Sequence, residues 1–355
     1  MMKEIGSIFP LNDNDISLAE KGAVVLPDDR IYYSLCREAL YDIAISLQHT
    51  DKRVLVPAYT CQTVITPFEE AGWTCHYYSI QNNLRIDVVS LIELVNHHHP
   101  SMVVVHPYFG MDLNDDEKKA LLLIHDEGVK VVLDLTQCLF SKHDASFADY
   151  VVASYRKWYP IPDGGYLIQS KGTQDILQPK EENIEFTDLE TSAMYLRGQY
   201  FGNGQQRTKA ISIRLSKSAD YLAESDITPH RMSHVAYNLL QLQDKVQNQQ
   251  ARIQNYTYLF EHIHDNAKVK RVCTNLAEVT TAPLYFTIYV QDRPALQRQL
   301  AQNAIYAPVI WPVENNKVLI NDEVKYIYEH LLAIPCDQRY DFSDMQRAID
   351  IINVF

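Results

Sequence analysis

Short apolar, β-branched runs alternate with amphipathic stretches through the first half of the chain, at 53–56, 74–78, 102–105, 129–133, 150–153 and 166–168. Between them the apolar positions take helical spacing over 36–47, 60–71, 88–97 and 115–126. This alternation predicts a mainly parallel sheet with crossover helices. Strands that are apolar throughout, such as 102–105, predict a sheet covered on both faces. From 171 to 229 the strand pattern lapses and polar and aromatic residues dominate, which predicts helices and loops outside the sheet. Met232, Val235, Leu239, Leu242, Val246, Ile253, Tyr256, Phe260 and Ile263 then recur at three- and four-residue spacing with one position skipped. They predict one long amphipathic helix, bridging two domains rather than forming a coiled-coil seam. The remainder predicts a small α/β unit with strands at 284–289 and 307–311 and helices at 294–302 and 343–353.

A chain of 355 residues exceeds one typical domain, so an N-terminal segment (1–30), a large domain (31–250) and a small C-terminal domain (251–355) are expected. Hydrophobic residues at 46% and charged residues at 22% give the balance of an ordinary globular protein. The formal charge of −13 argues against a nucleic-acid partner, because phosphate backbones are held by clustered cations. No apolar run is long enough to span a bilayer, and the start (MMKEIGSIFPLND) has no signal-peptide pattern, so a cytoplasmic protein without a membrane partner is expected. Six cysteines without a CxxC pair read as reduced thiols. His97, His98 and His99 precede Pro100 and read as a solvated helix end rather than a metal site.

In an open parallel sheet, ligands gather beyond the carboxyl ends of the strands. Four such ends carry polar or aromatic residues: Pro57-Ala58-Tyr59-Thr60, His106-Pro107-Tyr108-Phe109-Gly110, Asp134 with Gln137, and Ser154 with Lys157. Asp134 closes the apolar run VKVVLD, where a buried carboxylate needs a cation or hydrogen-bond donors. Alone it reads equally well as a helix cap or half of an ion pair. Lys157 lies in SYRKWYPIPDGG, among aromatic and proline residues expected to limit its access to water and so favour the free amine that imine formation needs. An Asp and a Lys on successive strand ends match the two groups that a pyridoxal ring needs at opposite points. A helix opening near Ser34 or Leu35 offers N–H groups to a phosphate, and Arg37 in its first turn is disfavoured by the helix dipole unless an anion lies nearby.

The order of these motifs resembles the fold-type I pyridoxal 5′-phosphate (PLP) enzymes, and in particular the DegT-type sugar aminotransferases. The resemblance runs over nearly the whole chain: SLCREAL, VPAYTC, HPYFG, DLTQ, SYRKW with the following DGG, and a two-part C-terminal domain. It implies an α/β fold with a three-layer large domain and a small C-terminal α/β domain. It implies a homodimer that uses PLP, an amino acid donor and a small keto or aldehyde acceptor such as a sugar. By the same resemblance Asp134 pairs with the pyridine nitrogen, Gln137 lies near the ring hydroxyl, Thr136 presses on the ring face and Ser154 bonds the phosphate. Lys157 carries the cofactor as an internal aldimine and shuttles the proton, while the backbone of Cys36 and Arg37 matches the phosphate turn.

The chain departs from the family at Cys36, where a Gly is usual, and at Cys61, where an aromatic residue commonly stacks on the ring; Tyr59 or Phe109 is then the candidate to stack. The family's Asn that reaches across from the partner subunit is not recognisable near 229–232. Trp311 and Arg339 are further candidates to face substrate. Other PLP chemistry, by a lyase, decarboxylase or condensing enzyme, would use the same lysine, aspartate and phosphate turn. A dimeric binding protein that keeps the fold without the activity is compatible with the two cysteines. A nucleotide-binding oxidoreductase is disfavoured, since no GxGxxG follows a predicted strand.

Overall fold

Runs such as Met102-Val103-Val104-Val105 bury every side chain, and that is possible only inside a sheet covered on both faces. The computed structural model describes residues 2–19, 26, 29–47, 50–141, 145–173 and 176–355. Its strands are β1 (Ile31–Tyr33), β2 (Arg53–Pro57), β3 (Thr74–Tyr78), β4 (Met102–Val105), β5 (Lys130–Asp134), β6 (Tyr150–Ser154), β7 (Gly165–Gln169), β8 (Val269–Arg271), β9 (Tyr285–Val290) and β10 (Leu331–Pro335). A seven-stranded sheet has the order β1-β7-β6-β5-β4-β2-β3, and a three-stranded sheet the order β10-β9-β8. Strand β2 pairs in parallel with β3 and β4, and β4 with β5, while β7 runs antiparallel to β1 and β6. The fold is therefore α/β, with a mainly parallel large sheet and a small C-terminal antiparallel one.

Contacts group the chain into two compact units. One comprises Ile8–Gln48 and Tyr150–Asp244. It holds β1, β6 and β7, the helix Cys36–Ser46, and the helices Ile184–Asn203 and Gln206–Ser225 that fill the stretch without strand pattern. The second comprises Met2–Ser7, His49–Asp149 and Lys245–Phe355. It holds the parallel strands and the small sheet, whose core includes Tyr256, Leu259, Phe286, Ile288, Leu332 and Met345.

Two expectations are corrected. The apolar series from Met232 to Ile263 is not one bridging helix but two, His234–Gln241 and Lys245–His262. Leu242, Val246 and Ile253 are 47%, 63% and 45% exposed, so the spacing does not mark a continuous buried stripe. The second helix instead buries Arg252, Asn255, Tyr256 and Leu259. Arg252 and Asn255 are held there by donating to carbonyls, Arg252 to those of Pro283 and Leu284 and Asn255 to that of Tyr340. The stretch 307–311 is not a strand either. Pro308 and Pro312 have no N–H to give a ladder, and Trp311 is left-handed (φ 58°). Strand β9 pairs with β8 and β10 instead.

Candidate functional site

Each unit assembles its own share of the expected residues. In the second unit β5 is apolar from Val131 to Leu133 and ends on Asp134, which is buried at the strand's carboxyl end. Its Oδ1 accepts a hydrogen bond from the Thr136 N–H at 2.8 Å, so the turn that follows the strand fixes the carboxylate. Thr136 and Gln137 are buried beside it in sequence. Gln137 is only 4% exposed, and its Oε1 has no hydrogen-bond partner among the described residues. A buried amide oxygen left unpaired costs about 1–3 kcal/mol, so Gln137 Oε1 is available to accept from a ligand's donor.

Neighbouring strand ends surround this turn with aromatic rings. Val105 is in register with Leu133, so His106 and Asp134 occupy equivalent positions one residue beyond that pair. His106 is buried, with Nε2 3.0 Å from the Thr60 hydroxyl. Tyr59 is wholly buried against Tyr108, Trp311 and Tyr328 at centroid separations of 5.7, 5.0 and 4.9 Å, and donates its hydroxyl to the Ile310 carbonyl. Burial pushes the Tyr59 and Tyr108 hydroxyls far above their ordinary range, so they act as neutral donors. Phe109 is equally buried and left-handed (φ 48°). Cys61 caps the helix Gln62–Glu70, and its Sγ accepts from the Thr63 hydroxyl at 3.0 Å. Trp311 thus joins this cluster, whereas Arg339 is bound through Nε and Nη2 to both carboxylate oxygens of Asp337 and through Nη1 to the Ser7 carbonyl.

In the first unit β6 delivers Ser154, buried, to the turn that carries Lys157. The turn closes on itself: the Tyr155 N–H donates to the Gly164 carbonyl at 2.8 Å. Trp158 and Tyr159 are buried, and Arg156 lies over the Phe186 ring, 3.9 Å from Asp220. Lys157 itself is exposed, which corrects the expectation that its aromatic neighbours keep water away. Those rings turn into the core and leave the lysine outside. Two other lysines lie near the Asp134 strand: Lys130, which begins it, is committed to Asp149 at 2.8 Å, and Lys142 lies outside the described residues.

The helix Cys36–Ser46 begins within the same unit. Glu38 in its first turn reaches back to the Leu35 N–H at 3.3 Å and also accepts from His230 N at 3.0 Å. Burial raises the Glu38 carboxyl, and the Glu38 carboxylate, 3.8 Å from the His230 ring, raises the His230 imidazole. The dipole argument that Arg37 needs a nearby anion is corrected: its Nη1 donates to the Ala223 carbonyl at 2.8 Å, in the last turn of Gln206–Ser225, the negative end of that helix. Gly165 at the start of β7 approaches the helix so closely that a Cβ there would lie 2.8 Å from Cys36 N. The glycine keeps a side chain away from the amides of the first turn, as an anion cradle requires.

Within the second unit a fixed carboxylate and an unpaired amide oxygen suit a pyridine ring, and within the first a helix start and an exposed lysine suit a phosphate and an aldehyde. The buried network around Asp163, with Ser233 and Glu38, was missed from sequence; its only signal was the turn Asp163-Gly164-Gly165. The three histidines end the helix Val88–His98 and cap it, His98 stacking on His76 at 3.7 Å. Among the described residues no group of three or more His, Cys, Asp or Glu is placed to hold a metal, and no helix is long and apolar enough to cross a membrane.

No family model and no curated protein matches the sequence. The architecture does match solved structures over its full length, and it is the fold of the fold-type I aminotransferases of the DegT/DnrJ/EryC1/StrS kind. PseC from Helicobacter pylori, an aminotransferase involved in the biosynthesis of pseudoaminic acid, aligns with 99% of this chain and 98% of its own at 13% identity and a TM-score of 0.68. A DegT DnrJ EryC1 StrS aminotransferase from Brucella abortus aligns with 97% and 95% at 15% identity and a TM-score of 0.66. A protein from Streptococcus pneumoniae solved in its PLP form aligns with 99% and 98% at 13% identity and a TM-score of 0.68.

Proposed function

We propose that the chain is a PLP-dependent aminotransferase that moves an amino group from an amino acid donor to the keto or aldehyde group of a sugar or related small molecule, working as a homodimer. The observation that carries the reading is the buried Gln137 amide oxygen, unpartnered among the described residues and three residues after Asp134, in a chain whose fold is that of PLP enzymes. When bound, the cofactor supplies an aldehyde that condenses with amines and a ring that accepts electrons.

The protein's own groups have distinct tasks. Asp134, oriented by the Thr136 N–H, holds a proton at the pyridine nitrogen. Gln137 meets the ring hydroxyl, and Thr136 limits the ring's movement from one face. The Cys36 and Arg37 amides, kept approachable by Gly165, hold the phosphate together with the Ser154 hydroxyl. Lys157 would hold the cofactor's aldehyde, and its amine would serve as the base for the proton at the donor's α-carbon. Its exposure suits an amine that substrate must displace.

Visible absorption of the purified protein with added cofactor, before and after candidate amino donors, tests the reading. Conversion of the lysine-bound spectrum to that of the aminated cofactor supports it. A protein that takes up no cofactor, or takes it up and is indifferent to every donor, contradicts it.

A further inference from the structure

The turn that carries Lys157 is closed by a buried clasp which the proposed reaction does not use directly. Asp163 is completely buried. Its Oδ2 accepts from the Ser233 N–H at 3.0 Å and its Oδ1 from the Ser233 hydroxyl at 2.8 Å, with the Thr187 hydroxyl 3.5 Å from Oδ2. Ser233 is also the N-cap of His234–Gln241, and Thr187 lies in Ile184–Asn203, so one carboxylate joins three separate stretches of chain.

The next residue carries that anchorage to the lysine turn. The Gly164 N–H donates to the Ser34 carbonyl at 2.6 Å, just before the helix Cys36–Ser46. The Gly164 carbonyl accepts from Tyr155 N at 2.8 Å and Arg156 N at 3.4 Å, the two residues that precede Lys157. A side chain at Gly164 would meet Met232 Cε at 3.0 Å, so the segment 232–233 packs tightly on the same point. A buried carboxylate is costly unless its acceptors are filled, and here the two Ser233 donors fill it.

Resting on the proposed function, we infer that Asp163, through Ser233 and Gly164, is a positioning residue that sets where the Lys157 amine is presented. Loosening the clasp leaves the cofactor's other contacts in place but lets the lysine turn wander. A misplacement near 1 Å slows a reaction of oriented groups by about 100-fold.

The test compares the wild type with Asp163→Ala, Ser233→Ala and Asp163→Asn in the full chain. Hydrogen exchange of the Tyr155 and Arg156 amides in the cofactor-free protein reads the clasp itself. The rate of covalent attachment of PLP to Lys157 reads the lysine, and the affinity for pyridoxamine phosphate, which forms no such link, reads the rest of the pocket. The expected result is faster exchange and about 10- to 100-fold slower attachment in the two alanine variants, with pyridoxamine phosphate affinity within about twofold and partial recovery in Asp163→Asn, which keeps one acceptor. If Asp163→Ala does not fold, Ser233→Ala decides. Unchanged exchange, or faster exchange with unchanged attachment, overturns the inference while the proposed function stands; so does an equal loss of attachment and pyridoxamine phosphate affinity. A wild-type protein that binds neither cofactor form overturns both, although exchange still reports on the clasp.

Discussion

Gly165 and Cys36 approach so closely that the Cα of the one leaves no room for a side chain against the backbone N–H of the other; an added Cβ would lie 2.8 Å from Cys36 N and 3.0 Å from its Cα. Both contacts are to backbone, so neither can relax by a rotamer change. Gly165→Ala is expected to destabilise the protein by about 1–3 kcal/mol through overpacking. It should also weaken phosphate-bearing ligands more than pyridoxal, which has no phosphate. Paired titrations with pyridoxal and PLP check this, and an equal effect on both would separate the helix start from phosphate binding.

Gln137 presents a conflict between stability and binding. Its buried amide oxygen lacks a partner, so Gln137→Met, similar in volume and free of that unmet group, is expected to raise the stability of the cofactor-free protein by about 1 kcal/mol. The same change removes the group assigned to the ring hydroxyl and should weaken PLP binding. Thermal melting without cofactor and equilibrium titration with it provide the two readings. A variant less stable than wild type, yet binding PLP normally, would mean that the amide is structural.

Asp163 gives a pH dependence with a defined sign. Burial raises its carboxyl from the ordinary 3.8 to about 7, Ser233 opposes the rise, and Glu38 adds to it. A group whose folded pKa is raised contributes stability below its unfolded value and loses it as pH climbs through the folded one. Glu38, raised by burial, and His230, raised by the nearby Glu38 carboxylate, act in the same direction. The melting temperature of the wild type is therefore expected to fall between about pH 4 and pH 7 more steeply than that of Asp163→Asn. Parallel melting curves for the two proteins across this window would show that Asp163 does not titrate there.

Much of this arrangement was readable from the residues, and what was not has identifiable causes. The parallel strands announced themselves because a doubly covered sheet demands unbroken apolar runs, and Asp134 stood out by ending one. Strand β8, Val269–Arg271, is only three residues long and mostly polar, so it carries no such pattern. The run Ala307-Pro308-Val309-Ile310-Trp311 has the composition of a strand, but proline denies it the ladder. Asp163 carries no local signal of its role, because Ser233, which donates to both its oxygens, is 70 residues away. The exposure of Lys157 was misread for a related reason: sequence shows that Trp158 and Tyr159 are adjacent, not that they turn into the core.

The central claim is that Lys157 is the residue to which the cofactor attaches. Lys130, the other described lysine flanking the Asp134 strand, is held by Asp149, while Lys157 stands exposed at the end of β6. Borohydride reduction of the PLP-loaded protein followed by peptide mapping tests this directly. The pyridoxyl group is predicted on Lys157, with Lys157→Ala taking up the cofactor without covalent attachment. A pyridoxyl group on Lys130 or Lys142, or none on any lysine, would contradict the account.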